Sequence, residues 1–370
     1  MLMLLWLLHH FAPLLDRWEL LSTGDSKVFV TARTALASLT SFLIAFLLGP
    51  MIIRWLKARR VGERIASDSE RLNELHASKT DTPTMGGLFI IGAIVASVLL
   101  WSDLSSQYVR MSLILTIGFG ALGAVDDWVK LRRQRNGLGA GQKLGVQVAL
   151  SLFIGVLLYL HHQPTQFGLS LVSPFGGGTI WLGAGFALWA MLVLVASSNA
   201  VNLTDGLDGL AGGCLVFAGS AFLALTYLAG HVKLAGYLSI PYMPGTGELT
   251  VVMGAMVGAV MGFLWFNCYP AEVFMGDTGS LPLGGLIGLA ALAVRQELLL
   301  VIIGGVFVTE TLSVIAQVFW FRWTGRRILA CSPLHNHFLF RGQHEMKIVV
   351  RFWLTAALLA IAGVASLKIR

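Results

Sequence analysis

Stretches of about 17 to 25 mostly apolar residues recur along the whole chain, and nothing else in the sequence limits the possible fold as tightly. Each is long enough for a helix to cross a hydrocarbon layer of roughly 30 Å. Ten spans are predicted, near residues 31–53, 85–101, 109–125, 144–160, 179–198, 210–229, 250–266, 281–294, 298–321 and 348–367, the eighth being short. Composition agrees: 56% of the 370 residues are hydrophobic, 12% are charged, and the mean hydropathy of +0.76 lies outside the range of soluble domains. The expected fold is all-α, a polytopic integral membrane protein in a single domain, with an interfacial segment at 1–28 and ten helices within 29–370. The opening MLMLLWLLHHFAPLL lacks both a preceding basic residue and an A-x-A cleavage site, so an interfacial helix is expected rather than a signal peptide. Cys214, Cys268 and Cys331 show no metal-ligand spacing and are expected as free thiols.

Orientation follows from the basic residues, which collect in short cytoplasmic loops. Eighteen of the 26 Lys and Arg fall in three segments, seven in 54–83, five in 126–143 and six in 322–351. With an even number of spans, both termini then face outward. The net charge of +7 reflects this bias and attraction to anionic membrane lipid and phosphate, and no nucleic acid is needed to explain it.

The polar clusters all fall on the side so assigned to the cytoplasm. Asp126 and Asp127 end the third span; Asn202, Asp205 and Asp208 follow the fifth in NAVNLTDGLDGLAGG; Asn267 and Asp277 follow the seventh; His335 and His337 lie in SPLHNHF. Any one of them could be an ordinary loop residue or helix cap. As a set they ask for more, because the loops carrying Asp205, Asp208 and Asp277 contain no Lys or Arg. Asp205 and Asp208, three apart, would share one face of a helix start. Carboxylates converging near glycine-rich turns suit Mg²⁺, which prefers oxygen ligands and keeps water and substrate phosphate in its shell. KTDTPTMGG adds Lys79, which could meet a phosphate or simply be one of the inside cations, and Gly86 and Gly87, where backbone can approach a ligand. Phe274 offers a ring to stack on a base or to anchor a loop at the interface.

TPTMGG, GAVDDWVK, NAVNLTDGLDGLAGG, FMGDTGSLPLGG, ETLSVIAQV and PLHNHF, in this order, resemble the phospho-N-acetylmuramoyl-pentapeptide transferase family from about residue 31 to the C-terminus. The resemblance implies a bacterial inner-membrane enzyme with ten transmembrane helices, both ends periplasmic, acting as a homodimer. It would use Mg²⁺ to move phospho-MurNAc-pentapeptide from UDP-MurNAc-pentapeptide to undecaprenyl phosphate, giving lipid I and UMP. On matching positions it implies Asp277 as metal ligand, Asp126 and Asp127 as the catalytic pair on the acceptor side, and Asn202, Asp205, Asp208, Asn267 and Phe274 around the nucleotide. Lys79, Thr84, Gln317, His335 and His337 would lie nearby, His335 with a catalytic part. Two positions depart from the pattern: Asn336 stands where the family has the middle of three histidines, and Asp81 replaces a glycine before TPTMGG. Asn336 can hydrogen-bond but cannot shuttle protons; the Asp81 change has no physical explanation.

Such phosphoryl transfer rests on positioning and charge neutralisation. Two roles are open for Asp126: base to the lipid phosphate or, since a phosphate with a second pKa near ~6 is largely ionised already, a group that with Asp127 positions the acceptor or supports the metal. Two other readings compete. A related transferase using UDP-GlcNAc would share the metal chemistry, and PLHNHF with the ETLSVIAQV and VVRFW stretches argues against it. A transporter would gather its polar residues near the midplane, where only Glu310 is found; Glu310 is expected to brace helix packing.

Overall fold

The computed structural model describes residues 29–59, 82–133, 137–174 and 178–368. The interfacial segment expected at 1–28 and the basic stretch with Lys79 and Asp81 lie outside them. Thirteen α-helices fill the described residues: α1 Val30–Ala58, α2 Gly87–Trp101, α3 Gln107–Arg133, α4 Ala140–His162, α5 Phe186–Thr204, α6 Leu210–Ala229, α7 Val232–Leu238, α8 Thr246–Asn267, α9 Gly276–Ala293, α10 Glu297–Ile303, α11 Gly305–Thr324, α12 Leu334–Phe340 and α13 Glu345–Ala365.

Two helices form the interior. α8 is buried along nearly its whole length among α1, α2 and α6. Its side toward α1 is a stripe of small residues, Gly254, Gly258 and Gly262, and a Cβ on Gly262 would lie 2.8 Å from Ala45 Cβ and from the Phe42 carbonyl. Such stripes let membrane helices approach to backbone contact, where dispersion and Cα–H contacts replace the missing hydrophobic drive. Ser38 adds a hydroxyl bond to the Gly254 carbonyl at 2.8 Å. α9 is the second internal helix, packed against α3 and α5, with every residue from Asp277 to Ala293 buried.

The end of the bundle away from the acidic residues is tied by buried ion pairs. Arg33 on α1 donates to both carboxylate oxygens of Glu248 on α8, at 2.9 and 2.5 Å. Arg295, beyond α9, donates to the Ser170 carbonyl, pairs with Glu297 at 2.7 Å and lies over the Phe186 ring. Ser170 belongs to a short antiparallel hairpin, β1 Ser170–Val172 with β2 Thr179–Trp181, so Arg295 fastens that hairpin to the bundle.

The hairpin is the exception in a nearly all-helical fold, and the fifth span begins at Gly183 rather than at 179. Three residues between glycine-rich turns cannot nucleate a helix but can pair as strands. Each predicted span overlaps a helix, and length and apolarity among the described residues confirm fewer than the expected ten as spans. Among the described residues seven helices are long and apolar enough to cross a bilayer: α1, α3, α4, α5, α6, α8 and α13. The expected continuous span 298–321 is broken, since α10 and α11 meet at 86° across Gly304, and together they would make an eighth. Adjacent Gly304 and Gly305 give the kink its cause. α2 has 15 residues, about 22 Å at 1.5 Å per residue. α9, enclosed by protein, needs no lipid-facing surface and carries glycine, serine and proline instead.

Candidate active site

The site begins at the end of α3. Asp126, Asp127 and Lys130 project from its last turns, and Gly123 lets α3 come so close to α9 that any Cβ there would strike the Asp277 backbone. That approach makes Asp127 the cap of a different helix. Its carboxylate accepts the N–H of Asp277 at 3.2 Å, the N–H of Thr278 at 2.9 Å and the Thr278 hydroxyl at 2.7 Å. These are amide groups that the first turn of α9 cannot satisfy itself. Gly276, at φ 70°, turns the chain into α9; a Cβ there would be strained and would sit 2.6 Å from Asp127 Oδ2 and 2.8 Å from Thr84 Oγ1.

Asp277 thus stands in the first turn of a capped helix, where the dipole favours a carboxylate. Oxygens of Asp126, Asp127 and Asp277 lie within 4.8 Å of one another, and all three residues are buried. Lys130 Nζ is 3.0 Å from Asp126 Oδ2, 3.5 Å from Asp127 Oδ1 and 3.0 Å from Asp277 Oδ2. Lys143, from the first turn of α4, also donates to Asp277 and is 3.6 Å from Asp126 Oδ2. Three carboxylates against two ammonium groups leave one charge uncompensated, which a buried site does not tolerate without a further cation or proton. The point where Lys130 touches all three carboxylates is the point a metal ion would take, and the donors are the oxygens that a hard ion prefers. The Thr84 hydroxyl, buried beside Asp127, has no hydrogen-bond partner among the described residues and could meet such an ion or a phosphate.

Asn202, at the end of α5, donates to Asp277 Oδ1 at 2.6 Å and to Ser280 Oγ at 2.9 Å. Asp205 and Asp208 do not share a helix face, because α5 ends at Thr204 and α6 begins at Leu210, with the glycine-containing 205–209 turn between. Nor does Asp208 join Asp277 around a common cation. Its carboxylate accepts the Ala271 N–H at 3.0 Å, while its own N–H donates to Glu345. Asn267 bridges the same two loops, accepting from Gly209 N–H and donating to the Val273 carbonyl. The backbone of Phe274 is tied to TPTMGG, its N–H to Pro83 and its carbonyl from Gly86, both at 2.8 Å.

His335 is buried under α11, where Glu310 accepts its backbone N–H at 3.1 Å and faces its Nδ1 at 3.2 Å. The Nε2 edge of the ring packs on Gly206, linking PLHNHF to the 205–209 turn. Gln317 accepts the N–H groups of Ile328 and Leu329, both at 3.0 Å, and His337 Nδ1 accepts that of Ala330. Both hold the loop before α12. Asn336 Oδ1 is buried with no hydrogen-bond partner among the described residues.

Sequence reasoning counted Lys130 and Lys143 only as inside cations. For Lys130 the signal was its spacing in DDWVK, three and four residues from the acids, which are contact distances on a helix. Lys143 is on another helix and no local pattern marks it. Glu310, expected to brace packing, instead holds His335.

The sequence profile of glycosyl transferase family 4 matches residues 109–295, and phospho-N-acetylmuramoyl-pentapeptide-transferase signature 1 matches residues 79–91. Curated relatives bearing the name phospho-N-acetylmuramoyl-pentapeptide-transferase align over nearly the whole chain. The protein of Nitratidesulfovibrio vulgaris (strain DP4) is 48% identical over 92% of this chain and 94% of its own. That of Citrifermentans bemidjiense is 45% identical over 98% and 100%, and that of Koribacter versatilis 43% identical over 100% of both.

Proposed function

This chain belongs to the phospho-N-acetylmuramoyl-pentapeptide transferase family, and from that premise we propose how its acidic centre works. The protein transfers phospho-MurNAc-pentapeptide from UDP-MurNAc-pentapeptide to undecaprenyl phosphate, giving lipid I and UMP, the first membrane step of peptidoglycan synthesis. The observation that carries this reading is the convergence of Asp126, Asp127 and Asp277 within 4.8 Å, gathered from two helices distant in sequence.

Asp277, with Asp126 and Asp127, would hold Mg²⁺, which when bound would supply charge neutralisation for the substrate phosphates. Asp127 acts by position, since its oxygens already accept the first N–H groups of α9. Asp126 keeps Oδ2 toward the lysines and is the group that meets the acceptor phosphate. Lys130 and Lys143, released from Asp277, are within reach of substrate phosphate oxygens. Asn202 orients Asp277. Asp205, Asp208, Asn267 and Phe274 form the nucleotide side, with Asp208 and Asn267 fixing the loop that bears Phe274. Thr84, Gln317, His335 and His337 lie near that side, His335 with its Nε2 edge toward the 205–209 turn, and Lys79, which the family pattern adds to them, falls outside the described residues.

An apolar groove of ≈ 280 Å³ between α5 and α11, lined by Leu192, Ala196, Val201, Val308 and Leu312, supports the lipid half of the reaction. Its lining on α5 reaches Val201, the neighbour in sequence of Asn202, and a polyprenyl chain lying there would run toward the end of α5 that carries Asn202. In this reading the chain crosses a bacterial inner membrane ten times, with the site cytoplasmic and both termini periplasmic, and works as a homodimer. The test is purified protein given undecaprenyl phosphate with UDP-MurNAc-pentapeptide or UDP-GlcNAc. UMP should appear only with the muramoyl peptide; release from UDP-GlcNAc alone would assign the chain to the related sugar-phosphate transfer.

A further inference from the structure

Behind α12, on the side away from the acids, α11 and α13 touch where Gly305 meets Leu359. From that contact a cavity of ≈ 260 Å³ runs between them toward the first turns of α13, lined by Val306, Thr309, Ile348, Phe352 and Thr355 and roofed by Phe338. Its interior is apolar in effect, because the two hydroxyls on its walls are already used: Thr309 donates to the Gly305 carbonyl at 2.7 Å and Thr355 to the Arg351 carbonyl at 2.9 Å. All its charge is at one end. Arg351 lines the mouth and donates to Gln343 Oε1 at 3.1 Å, which draws the guanidinium back toward the loop before α13. Lys347, one turn earlier on the same face, is also exposed, and neither cation has a carboxylate partner among the described residues.

A pocket with an apolar depth and a cationic mouth fits an amphiphile with an anionic head. It opens sideways past exposed Thr309 and Thr355, on the flank where Leu354 and Leu358 are 61% and 67% exposed, a surface suited to lipid chains. Its volume falls just below the roughly 300–1,000 Å³ of small-molecule pockets, enough for a segment of one chain and not for a whole lipid. Basic side chains near helix ends reach to the interface in this way to meet phosphate head groups. We propose that this cavity binds an acyl chain of an anionic phospholipid from the leaflet on the acid-cluster side, with its phosphate held by Arg351 and Lys347. The bound chain fills the space beside Leu334 and Phe338 of α12 and so supports the helix that presents His335 to Glu310.

The experiment uses full-length protein in mixed phosphatidylcholine and phosphatidylglycerol nanodiscs, with native mass spectrometry of the lipids retained on release. The wild type should keep one phosphatidylglycerol in preference to phosphatidylcholine. Arg351→Gln should lower that retention about fivefold, the effect of one cation near a charged surface. Thr355→Trp, at an exposed helix position and with Arg351 intact, should abolish it by filling the cavity, while thermal unfolding confirms that both variants are folded. Retention unchanged in both variants, or equal retention of the two lipids, would overturn the proposal. Displacement by undecaprenyl phosphate at matched concentration would overturn it as well, assigning the cavity to the acceptor lipid; that result would leave the transfer reaction itself untouched.

Discussion

Asp127 and Asp277 are both buried aspartates of the same cluster, and their hydrogen bonds give them different work. Asp127 caps the start of α9 through both its oxygens, whereas the hydrogen bonds of the Asp277 carboxylate come from side chains that can leave, Lys130, Lys143 and Asn202. In the proposed reading, lysine and metal therefore compete for Asp277. Replacing Lys143 by Met should raise the apparent Mg²⁺ affinity by about tenfold, since an ammonium at contact distance opposes a second cation. The same change should lower the rate of UMP release, because the phosphate loses a cation. A Mg²⁺ titration of both proteins checks it, and weaker Mg²⁺ dependence of the variant is the outcome that would refute competition. Glu310 is the other informative residue. Glu310→Ala leaves the buried His335 N–H and Nδ1 without their acceptor, at a cost of roughly 1–3 kcal/mol. Thermal unfolding should show that loss, and UMP release should fall with it; a change in neither would return Glu310 to simple packing.

At the scale of helices, the site depends on how closely α3 approaches α9. Gly123→Ala puts a methyl group into the Asp277 backbone, an overpacking that costs roughly 1–3 kcal/mol and shifts Asp127 off the α9 amides. Lowered melting temperature together with lost transfer is expected, and a fully active variant would mean that the two helices have more room than described. This contact also shows what could be read from the sequence. Helix positions were legible because apolar length is a local property, and the acids were legible because carboxylates beside long apolar runs are conspicuous. Which acids meet was not. Asp205 and Asp208 suggested a cation by proximity in sequence, but the turn between Thr204 and Leu210 separates them, and Asp208 binds a backbone amide instead. Asp277 finds Asp126 and Asp127 through a glycine contact 154 positions away in the chain, which no periodicity reports. The break at Gly304 and the β1–β2 hairpin were hidden for a related reason: a hydropathy pattern measures length and not direction.

At the scale of the whole molecule, two internal helices hold the arrangement. α8 packs on α1 through its glycine stripe and also joins α2 and α6, α9 joins α3 and α5, and the ends of α3, α5 and α9 bring Asp126, Asp127, Asn202 and Asp277 together. The buried pairs Arg33–Glu248 and Arg295–Glu297 close the other end. A lipid-borne acceptor and a water-soluble donor can meet only at such a boundary, and a cation-binding carboxylate cluster placed there accounts for both. The most direct test follows UMP release from UDP-MurNAc-pentapeptide and undecaprenyl phosphate as Mg²⁺ is titrated, with wild-type protein and a folded Asp277→Asn variant side by side. The wild type should be inactive without the ion and saturate with it, and the variant should be slower by roughly 10²–10³-fold at every concentration. Equal rates for the two proteins, or release by the wild type in the presence of a chelator, would contradict the assignment of the acidic cluster.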